Sequence, residues 1–399
     1  MRTNVIVLLA ALLAAPGAFG QAYAPPPPAV PPTYPSVPPT YPSAQSTYSN
    51  VLPTNPAAQP VYTPPSSSLS NSPNELTVGG WLAGVGFYYL QPKWGSNPAY
   101  STLNTTTNNL TTTEQSAQQD FTMNGQFVPL VYLGYMTDAG IGFRTRWWQM
   151  HGSSSTSLSQ PAQANPPAST VFSDYPLGIG FASQASADSS NVMNFDSNLT
   201  MDVVDAEIIW DVRGGGWSML FGTGLRFAHL NQDYNASWLS IPTDPTQDTV
   251  LNTLLSGHNF DGIGPVVSLE GRYAMGSSGF AILANARGAL LFGSGTQSVL
   301  LDTMENDSTG ALVSESILTR SQSTCGVLPM AELELGVEWG QKIGFAQFSL
   351  QAMMVGQAWF YAGNAANQDG ASSSLTGDSL SNQDPMGLIG FRLMASMSY

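Results

Sequence analysis

The stretch from Asp202 to Gln232, DVVDAEIIWDVRGGGWSMLFGTGLRFAHLNQ, decides the fold class. In its first arm, apolar side chains recur at every second residue from Val204 to Val212, and acidic side chains lie among the residues between them. A period of two is typical of a β-strand, because successive side chains point to opposite faces. The second arm, from Trp217 to Phe227, repeats the alternation, and the glycines between the arms tolerate the positive φ of a tight turn. The stretch therefore predicts a β-hairpin.

Two features of this hairpin are unusual for a soluble sheet. Each arm has about a dozen residues, roughly twice the length of an ordinary strand. Its polar face carries acids and an arginine rather than a solubilising mixture of Lys and Glu. A strand that crosses a bilayer at a tilt needs about 9–11 residues, apolar toward lipid and polar toward a lumen. The hairpin therefore predicts membrane-spanning strands.

The composition of the chain supports this interpretation and excludes others. Only 9% of the 399 residues are charged, against about 25% in ordinary soluble domains. After residue 20 no apolar run reaches the roughly 18 residues of a spanning helix. The net charge of −15 argues against a nucleic-acid partner, because phosphates are neutralised by Lys and Arg. The single cysteine, Cys325, cannot form an internal disulfide and is either inert or paired between molecules.

Three regions follow from the patterning. Residues 1–20 resemble a secretory signal peptide, with Arg2 before an apolar core and a small-residue cleavage site. Residues 21–75 contain 16 prolines and predict an extended or disordered periplasmic segment, either a spacer or a tether that contacts the cell wall or a partner. Residues 76–399 predict an all-β, transmembrane, antiparallel up-and-down barrel.

The barrel region is predicted to contain about ten strands, with eight to twelve compatible with the pattern. Short and long connections alternate between these strands, which is typical of an outer-membrane barrel with periplasmic turns and extracellular loops. An even strand number places both termini in the periplasm. The predicted strands are 76–90, 124–136, 140–150, 201–213, 216–229, 260–274, 279–292, 326–340, 345–361 and 386–399, and the five long loops are 91–123, 151–200, 230–259, 293–325 and 362–385.

The last predicted strand ends the chain on an aromatic residue, Tyr399. Such a strand is similar to the signal read by bacterial barrel-assembly machinery, which we therefore expect as a partner, together with outer-membrane lipid. Residues 170–182 could add a further strand. Aromatic residues near strand ends predict girdles at the two membrane interfaces: Trp81, Tyr88, Tyr89, Trp94, Trp147, Trp148, Trp217, Trp339, Trp359 and Tyr361.

Alternation places most charged residues of the strands on the lumen face. An Arg or Lys facing lipid at mid-depth costs about 2–4 kcal/mol, so this placement is a consistency test of the barrel interpretation. The charges either line a water-filled pore or form a salt-bridged filling, because ten strands enclose little room. The residues predicted to face inward are Arg144, Arg146, Asp205, Glu207, Asp211, Arg226, Glu270, Arg272, Arg287, Glu332, Glu334, Glu338 and Arg392.

The long loops carry most of the net charge, with 15 acids against Lys93 and Arg320. An acidic vestibule would concentrate cations. Asp302, Glu305 and Asp307 could hold Ca²⁺, although a solvated acidic loop is the simpler interpretation. Asp244 and the apolar residues that follow it predict a short helix over 244–256, which would either narrow the mouth or pack on the rim. No other metal site and no cofactor are expected.

Catalytic motifs are missing from the sequence, and we expect no enzymatic activity. Ten-stranded proteases of the omptin type use acids and a histidine at the outer rim. His229 and Asp233 could form such a pair, so an omptin-like hydrolase is one alternative.

Six segments resemble the Legionella-type major outer-membrane protein family, a group of pore-forming barrels also found in planctomycete-like bacteria: FRTRWWQM, VVDAEIIWD, FGTGLRFAHLNQ, GIGPVVSLEGRY, GALLFGSG and PMAELELGVEW. The resemblance covers residues 79–399. It implies an outer-membrane pore and brings no catalytic residues. We therefore expect a porin-like protein that passes small hydrophilic solutes or ions and whose acidic loops would favour cations; a plugged structural or adhesin-type surface barrel is the other alternative.

Overall fold

A computed structural model describes residues 79–108, 111–164, 168–366 and 384–399. The predicted signal peptide and proline-rich segment lie outside these residues. The strands are numbered in chain order over two sheets. Those of the larger sheet are β1 (Gly80–Trp94), β4 (Gln126–Met136), β5 (Ile141–Gln160), β8 (Ser189–Gly214), β9 (Trp217–Pro242), β10 (Thr249–Ala274), β11 (Phe280–Asn306), β12 (Leu312–Ile343), β13 (Ala346–Trp359) and β14 (Met386–Ser398).

These ten antiparallel strands close into a barrel in the order β1-β14-β13-β12-β11-β10-β9-β8-β5-β4. Each strand is hydrogen-bonded to the strand before it and the strand after it in this order, and β4 returns to β1 through the pairing of Leu82 with Gly134 and their neighbours. The predicted fold class and strand number are therefore confirmed.

Tight turns join the strands at one end of the barrel, which we call the short-turn end. In the β8–β9 turn, Gly215 and Gly216 have φ of +40° and +91°, as a two-residue hairpin turn of primed type requires. The barrel closes at the same end, where the backbone N–H of Trp81 donates to Tyr399 O at 2.8 Å and that of Tyr399 donates to Trp81 O at 2.9 Å. The opposite end is the long-hairpin end.

Several strands continue far beyond the length that a membrane requires. β8, β9 and β10 have 26 residues each, and β12 has 32. At about 3.3 Å per residue, 26 residues span about 85 Å along the strand, several times the roughly 25 Å apolar band of an outer-membrane barrel. The prediction of loops over 151–200, 230–259 and 293–325 is therefore wrong for most of their length. The helix predicted over 244–256 is also wrong, because β10 begins at Thr249.

A second, four-stranded sheet forms at the long-hairpin end. Its strands are β2 (Pro98–Asn108), β3 (Thr111–Asp120), β6 (Ala168–Ser173) and β7 (Ala182–Gln184), paired in the order β3-β2-β6-β7, with a 3-10 helix at Pro176–Gly178. Residues 170–182 thus contribute strands to this sheet and not to the barrel. Val171 of this sheet, together with Phe121 and Phe181 next to its strands, is buried against Phe195 and Tyr234 of the barrel strands. This second hydrophobic core packs against the strand extensions and stabilises them.

The outer wall of the barrel carries an apolar belt next to the short-turn end. On β8 the outward residues Ile208, Trp210 and Val212 are 38–52% exposed, while the residues that alternate with them face inward. The belt ends where Asp202, His229 and Asp261 stand side by side in register on β8, β9 and β10. None of the described residues belongs to a helix that is long and apolar enough to cross a membrane.

The predicted aromatic girdles are wrong for four residues. Tyr88, Trp148 and Trp359 are completely buried in the interior of the barrel, and Trp94 packs against the same core. They face inward because their positions alternate with outward neighbours such as Tyr89 and Trp147. Trp81 and Trp217, in contrast, are exposed on the outer wall at the short-turn end.

Candidate functional site in the barrel interior

The structure places all thirteen charged residues that were predicted to face inward in the interior of the barrel. Ten of them form one continuous network of ion pairs, completed by hydrogen bonds of the Tyr88 hydroxyl, which we call the charged layer: Arg144, Arg146, Asp205, Glu207, Arg226, Glu270, Arg287, Glu332, Glu334 and Arg392. The remaining three lie closer to the short-turn end, where Arg272 pairs with Glu338 and Asp211 pairs with Arg213.

The charged layer spans the full width of the lumen. β5 and β12 lie on opposite sides of the ring, with four strands between them in either direction. Arg146 on β5 nevertheless reaches Glu332 on β12, with Nη1 and Oε1 2.9 Å apart. Arg287 donates to the same oxygen at 2.7 Å. The two walls are therefore in direct polar contact at this level.

Asp205 anchors the other side of the layer. Its carboxylate accepts from Nε and Nη2 of Arg226 at 2.6 and 2.8 Å, a bidentate pair in which both residues are fully buried. Nε of Arg146 donates to the same carboxylate at 3.0 Å. Planar, two-point contacts of this kind are the strongest that arginine makes with a carboxylate.

Further pairs complete the layer. Arg144 bridges Glu207 and Glu270 with N–O distances of 2.8 and 2.7 Å, and Arg392 pairs with Glu334 at 2.8 Å. The neutral side chains that also satisfy these groups were not predicted. Tyr88 donates to Glu334, and Asn285 donates to its other oxygen at 2.9 Å; both were overlooked because only charged residues were counted.

An apolar layer covers the charged layer on the side of the long-hairpin end. On β5 the inward positions after Arg146 are Trp148 and Met150, and the other strands show the same change from charge to hydrocarbon. The rings of Trp148 and Trp359 meet with centroids 6.3 Å apart. The buried residues of this layer include Leu90, Leu130, Trp148, Met150, Met201, Leu230, Leu291, Leu328, Met330, Trp359 and Leu388.

The chain that follows β13 folds into the barrel instead of outward. We call residues 361–366 the inward turn. Gln232 on β9 donates to Gly363 O at 3.1 Å, Ser256 on β10 donates to Ala365 O at 2.8 Å, and Asn364 donates to Ser96 O at 2.9 Å. Tyr361 has φ of +62°, a conformation that costs energy for a residue with a side chain. The mouth is thus narrowed by a segment that was predicted, from residue 362 onward, to belong to an external loop.

Comparison with known proteins identifies the chain. The family model for the Legionella pneumophila major outer membrane protein precursor matches residues 73–397. The chain belongs to this family. Membership places the protein in the outer membrane, and it gives the apolar belt of the barrel its role as the lipid-facing surface.

Solved structures with a similar arrangement are also outer-membrane proteins. The outer membrane protease OmpT from Escherichia coli is 9% identical, with 82% of this chain and 98% of that chain covered and a TM-score of 0.38. A Pseudomonas aeruginosa FadL homologue is 9% identical, with 80% and 90% covered and a TM-score of 0.22. No curated protein matches the chain.

Within this family member, His258 lies outside the lipid belt and supports the inward turn. Its ring packs against Gly363, where a Cβ atom would lie 2.5 Å from Nε2. Burial lowers the pKa of His258, and a hydrogen bond with the backbone of Ala362 opposes this effect. The residues beside it on β9 and β11, Gln232 and Gln297, carry no charge that would stabilise an imidazolium.

Acid should therefore loosen the inward turn. Because the folded state favours the neutral ring, this stabilisation is present above the ordinary histidine pKa of about 6.5 and is lost as the pH falls below it. Backbone hydrogen exchange at residues 361–366, corrected for the intrinsic pH dependence, should be faster at pH 5 than at pH 7.5. His258→Gln should remove that difference; a pH effect that persists in the variant would contradict this role.

The structure does not bring together the candidate catalytic pair or the candidate Ca²⁺ ligands. His229 does not pair with Asp233. Instead its Nδ1 lies 2.7 Å from Asp261 Oδ1 on the outer wall at the edge of the lipid belt. Among the described residues, no group of three or more His, Cys, Asp or Glu side chains could hold a metal ion.

The suggested Ca²⁺ ligands serve local structure. Asp307 Oδ1 accepts from the backbone N–H groups of Thr309 and Ala311 in the β11–β12 turn, and Glu305 accepts from Ser314 across the hairpin. Asp302 is not grouped with either of them. Cys325 is exposed on β12.

Proposed function

We propose that this outer-membrane protein is a pore for small hydrophilic solutes or ions, and that its lumen is closed in the conformation described. The observation that supports the proposal is the charged layer. A barrel that only had to be filled could be filled with hydrocarbon, as it is one level above, and buried ion pairs often contribute less stability than apolar side chains of similar volume. Ionic groups concentrated at one level of a narrow barrel are expected where ions and water must pass.

The proposal includes an orientation. The short-turn end and both termini would face the periplasm, and the long hairpins would face the outside. The acidic excess of the segments beyond the belt would then lie outside the cell and raise the local concentration of cations, which favours cation passage. The strand that ends at Tyr399 would be read by the barrel-assembly machinery, and the proline-rich segment 21–75 would reach the cell wall.

Conduction requires three elements to move or separate: the inward turn, the apolar layer and the charged layer. The inward turn is joined to β13 and rests on single hydrogen bonds from neutral side chains, so it is the least firmly held of the three. In the charged layer, ionised side chains from opposite walls of the lumen are in direct contact. This layer therefore sets the size and the ion preference of any current.

Planar-bilayer recording of the full chain tests the proposal. The wild type should show discrete openings, and a KCl gradient should give a reversal potential of the sign expected for cation preference. Arg146→Ala combined with Glu332→Ala removes the contact across the lumen while Arg226 remains on Asp205, and it should raise the single-channel conductance several-fold. Arg320→Ala, outside the barrel lumen, is the control and should leave the conductance unchanged.

A plugged structural barrel that displays its hairpins is the second candidate, and the 2.9 Å contact between opposite walls favours it. In that case neither the wild type nor the double variant would conduct above the background of protein-free membranes. We propose no enzymatic activity for either candidate. An omptin-like hydrolase would require His229 to act with an acid at the outer rim, whereas His229 contacts Asp261 on the outer wall at the edge of the lipid belt.

A further inference from the structure

A cavity of about 140 Å³ lies inside the barrel below the charged layer, next to the short-turn end. Since one molecule of liquid water occupies about 30 Å³, the cavity has room for several waters or for a small oxyanion with a partial hydration shell. Hydroxyl and amide groups contribute to its wall, among them Ser218, Asn285, Ser349 and Ser396.

The wall of this cavity is basic, although the interior as a whole is nearly balanced. Six arginines and three carboxylates line it. The acids that neutralise several of these arginines, Glu207, Glu332 and Glu334, are not part of the lining and belong to the charged layer above. A solute in the cavity therefore meets guanidinium groups more often than carboxylates.

Two of the lining arginines have hydrogen-bonding capacity that the described residues do not use. Arg272 donates from Nε to Glu338 Oε1 at 2.8 Å, while its Nη2 is buried without a partner. Arg392 donates to Glu334 and Gln351, while its Nε is buried without a partner. Arg392 is only 5% exposed. Buried donors are almost always satisfied by protein, water or a bound ion, and guanidinium is the group best suited to planar or tetrahedral oxyanions.

We propose that this cavity is a binding site for a small oxyanion, a carboxylate or a phosphate, and that Arg272 and Arg392 are its principal donors. Arg392 is held in place by both Glu334 and Gln351, whereas Arg272 contacts Glu338 alone, so Arg272 is the one that adjusts to the anion. The site goes beyond the proposed function, because binding here does not require the lumen to open. It also places an anion site inside a barrel whose opposite end is acidic.

The test is anion binding to the full chain in a neutral detergent and a phosphate-free buffer. ³¹P line broadening of inorganic phosphate and ¹³C line broadening of carboxyl-labelled acetate report the two chemistries separately. The wild type should broaden at least one of the two signals at millimolar concentration. Arg272→Gln should lower that broadening at least five-fold, and Arg320→Gln, which removes the same charge outside the barrel lumen, should leave it unchanged.

Folding of each variant is checked by the heat-dependent shift in electrophoretic mobility that a closed barrel shows. Arg272→Lys keeps the charge but loses the planar fork and should retain partial broadening, which provides a reading if Arg272→Gln fails to fold. Broadening of phosphate alone would assign a phosphate site, and broadening of both signals a general oxyanion site. Absence of broadening in the wild type, or equal broadening in Arg272→Gln, would mean that only water occupies the cavity and would overturn the proposal.

Discussion

Replacement of Leu333 by Arg should prevent stable insertion of the barrel. Leu333 lies at the middle of the apolar belt on β12 and is 65% exposed on the outer wall. Its neighbours in register are Ala286 and Gly356, so nothing beside it would shield a charge from lipid. A guanidinium at mid-depth costs about 2–4 kcal/mol, and the side chain is too far from either interface to reach water without distorting the bilayer.

The control is the same substitution at a different height on the same strand. Leu318 is also exposed on β12, at 53%, but it belongs to the hairpin beyond the belt. Leu318→Arg should accumulate in the outer membrane as the wild type does, with a normal heat-dependent mobility shift. Leu333→Arg should be depleted from that fraction and should unfold from liposomes at lower urea concentration. If the two variants behaved alike, the belt would not be where the structure places it.

The strands of the belt could be predicted from sequence because lipid and lumen impose opposite demands on alternate residues. Ile208 is exposed on the outer wall and Glu207 is buried in the lumen, and a shift of one residue would exchange them. This is why all thirteen inward charges were assigned to the correct face. The glycine turn after β8 was predictable for a similar reason, since its positive φ values favour glycine.

The strand extensions could not be predicted, because the outer face stops being apolar when it leaves the membrane. Ser153, Ser155 and Ser157 on β5 face solvent. Polar residues therefore occupy both faces of this part of the strand, and the apolar–polar alternation that predicts a strand is lost. The predicted helix over 244–256 failed for a related reason. Asp244 does accept a hydrogen bond from the N–H of Thr246 at 2.9 Å, but this stabilises a turn, after which Leu254 enters the second core as a strand residue.

The pairing of arginines with acids inside the lumen could not be predicted from the sequence either. Which arginine meets which acid depends on strand tilt and on the stagger of the ring, neither of which is encoded locally. Arg146 and Glu332 are 186 residues apart, and nothing in the composition of β5 or β12 predicts their contact. The inward turn depends on Gln232 and Ser256, two neutral residues without any motif.

Replacement of Arg226 by Met should be the most damaging single change inside the lumen. Arg226 and Asp205 are completely buried, and the change leaves Asp205 with Arg146 as its nearest remaining partner at 3.0 Å. Removing one member of a buried ion pair typically costs about 3–5 kcal/mol, because the other charge stays desolvated. The free energy of unfolding, measured by urea titration in liposomes, should fall by about that amount.

The double variant Asp205→Asn with Arg226→Met separates the value of the pair from the cost of breaking it. The introduced asparagine can still accept a hydrogen bond from Arg146, and the introduced methionine would lie beside Met330, which Arg226 now contacts. Exchange of a buried pair for uncharged side chains is often close to neutral, so the double variant should recover most of the lost stability and give a large coupling energy. Arg213→Met is the matched control: the side chains of Arg213 and Asp211 are 27% and 5% exposed, so this pair is partly solvated and its loss should cost less than the loss of Arg226.

If the double variant recovers its stability but not the native ion preference, the role of the charged layer is ion passage and not stability. The barrel would then tolerate an uncharged pair at this level as readily as it tolerates the apolar layer above. The charges would be explained by the solutes or ions that pass through the lumen. If instead the double variant were as unstable as Arg226→Met alone, Arg146 and Arg287 would depend on Asp205 for their own neutralisation. The charged layer would then be a structural filling, and the plugged barrel would be the better account of the protein.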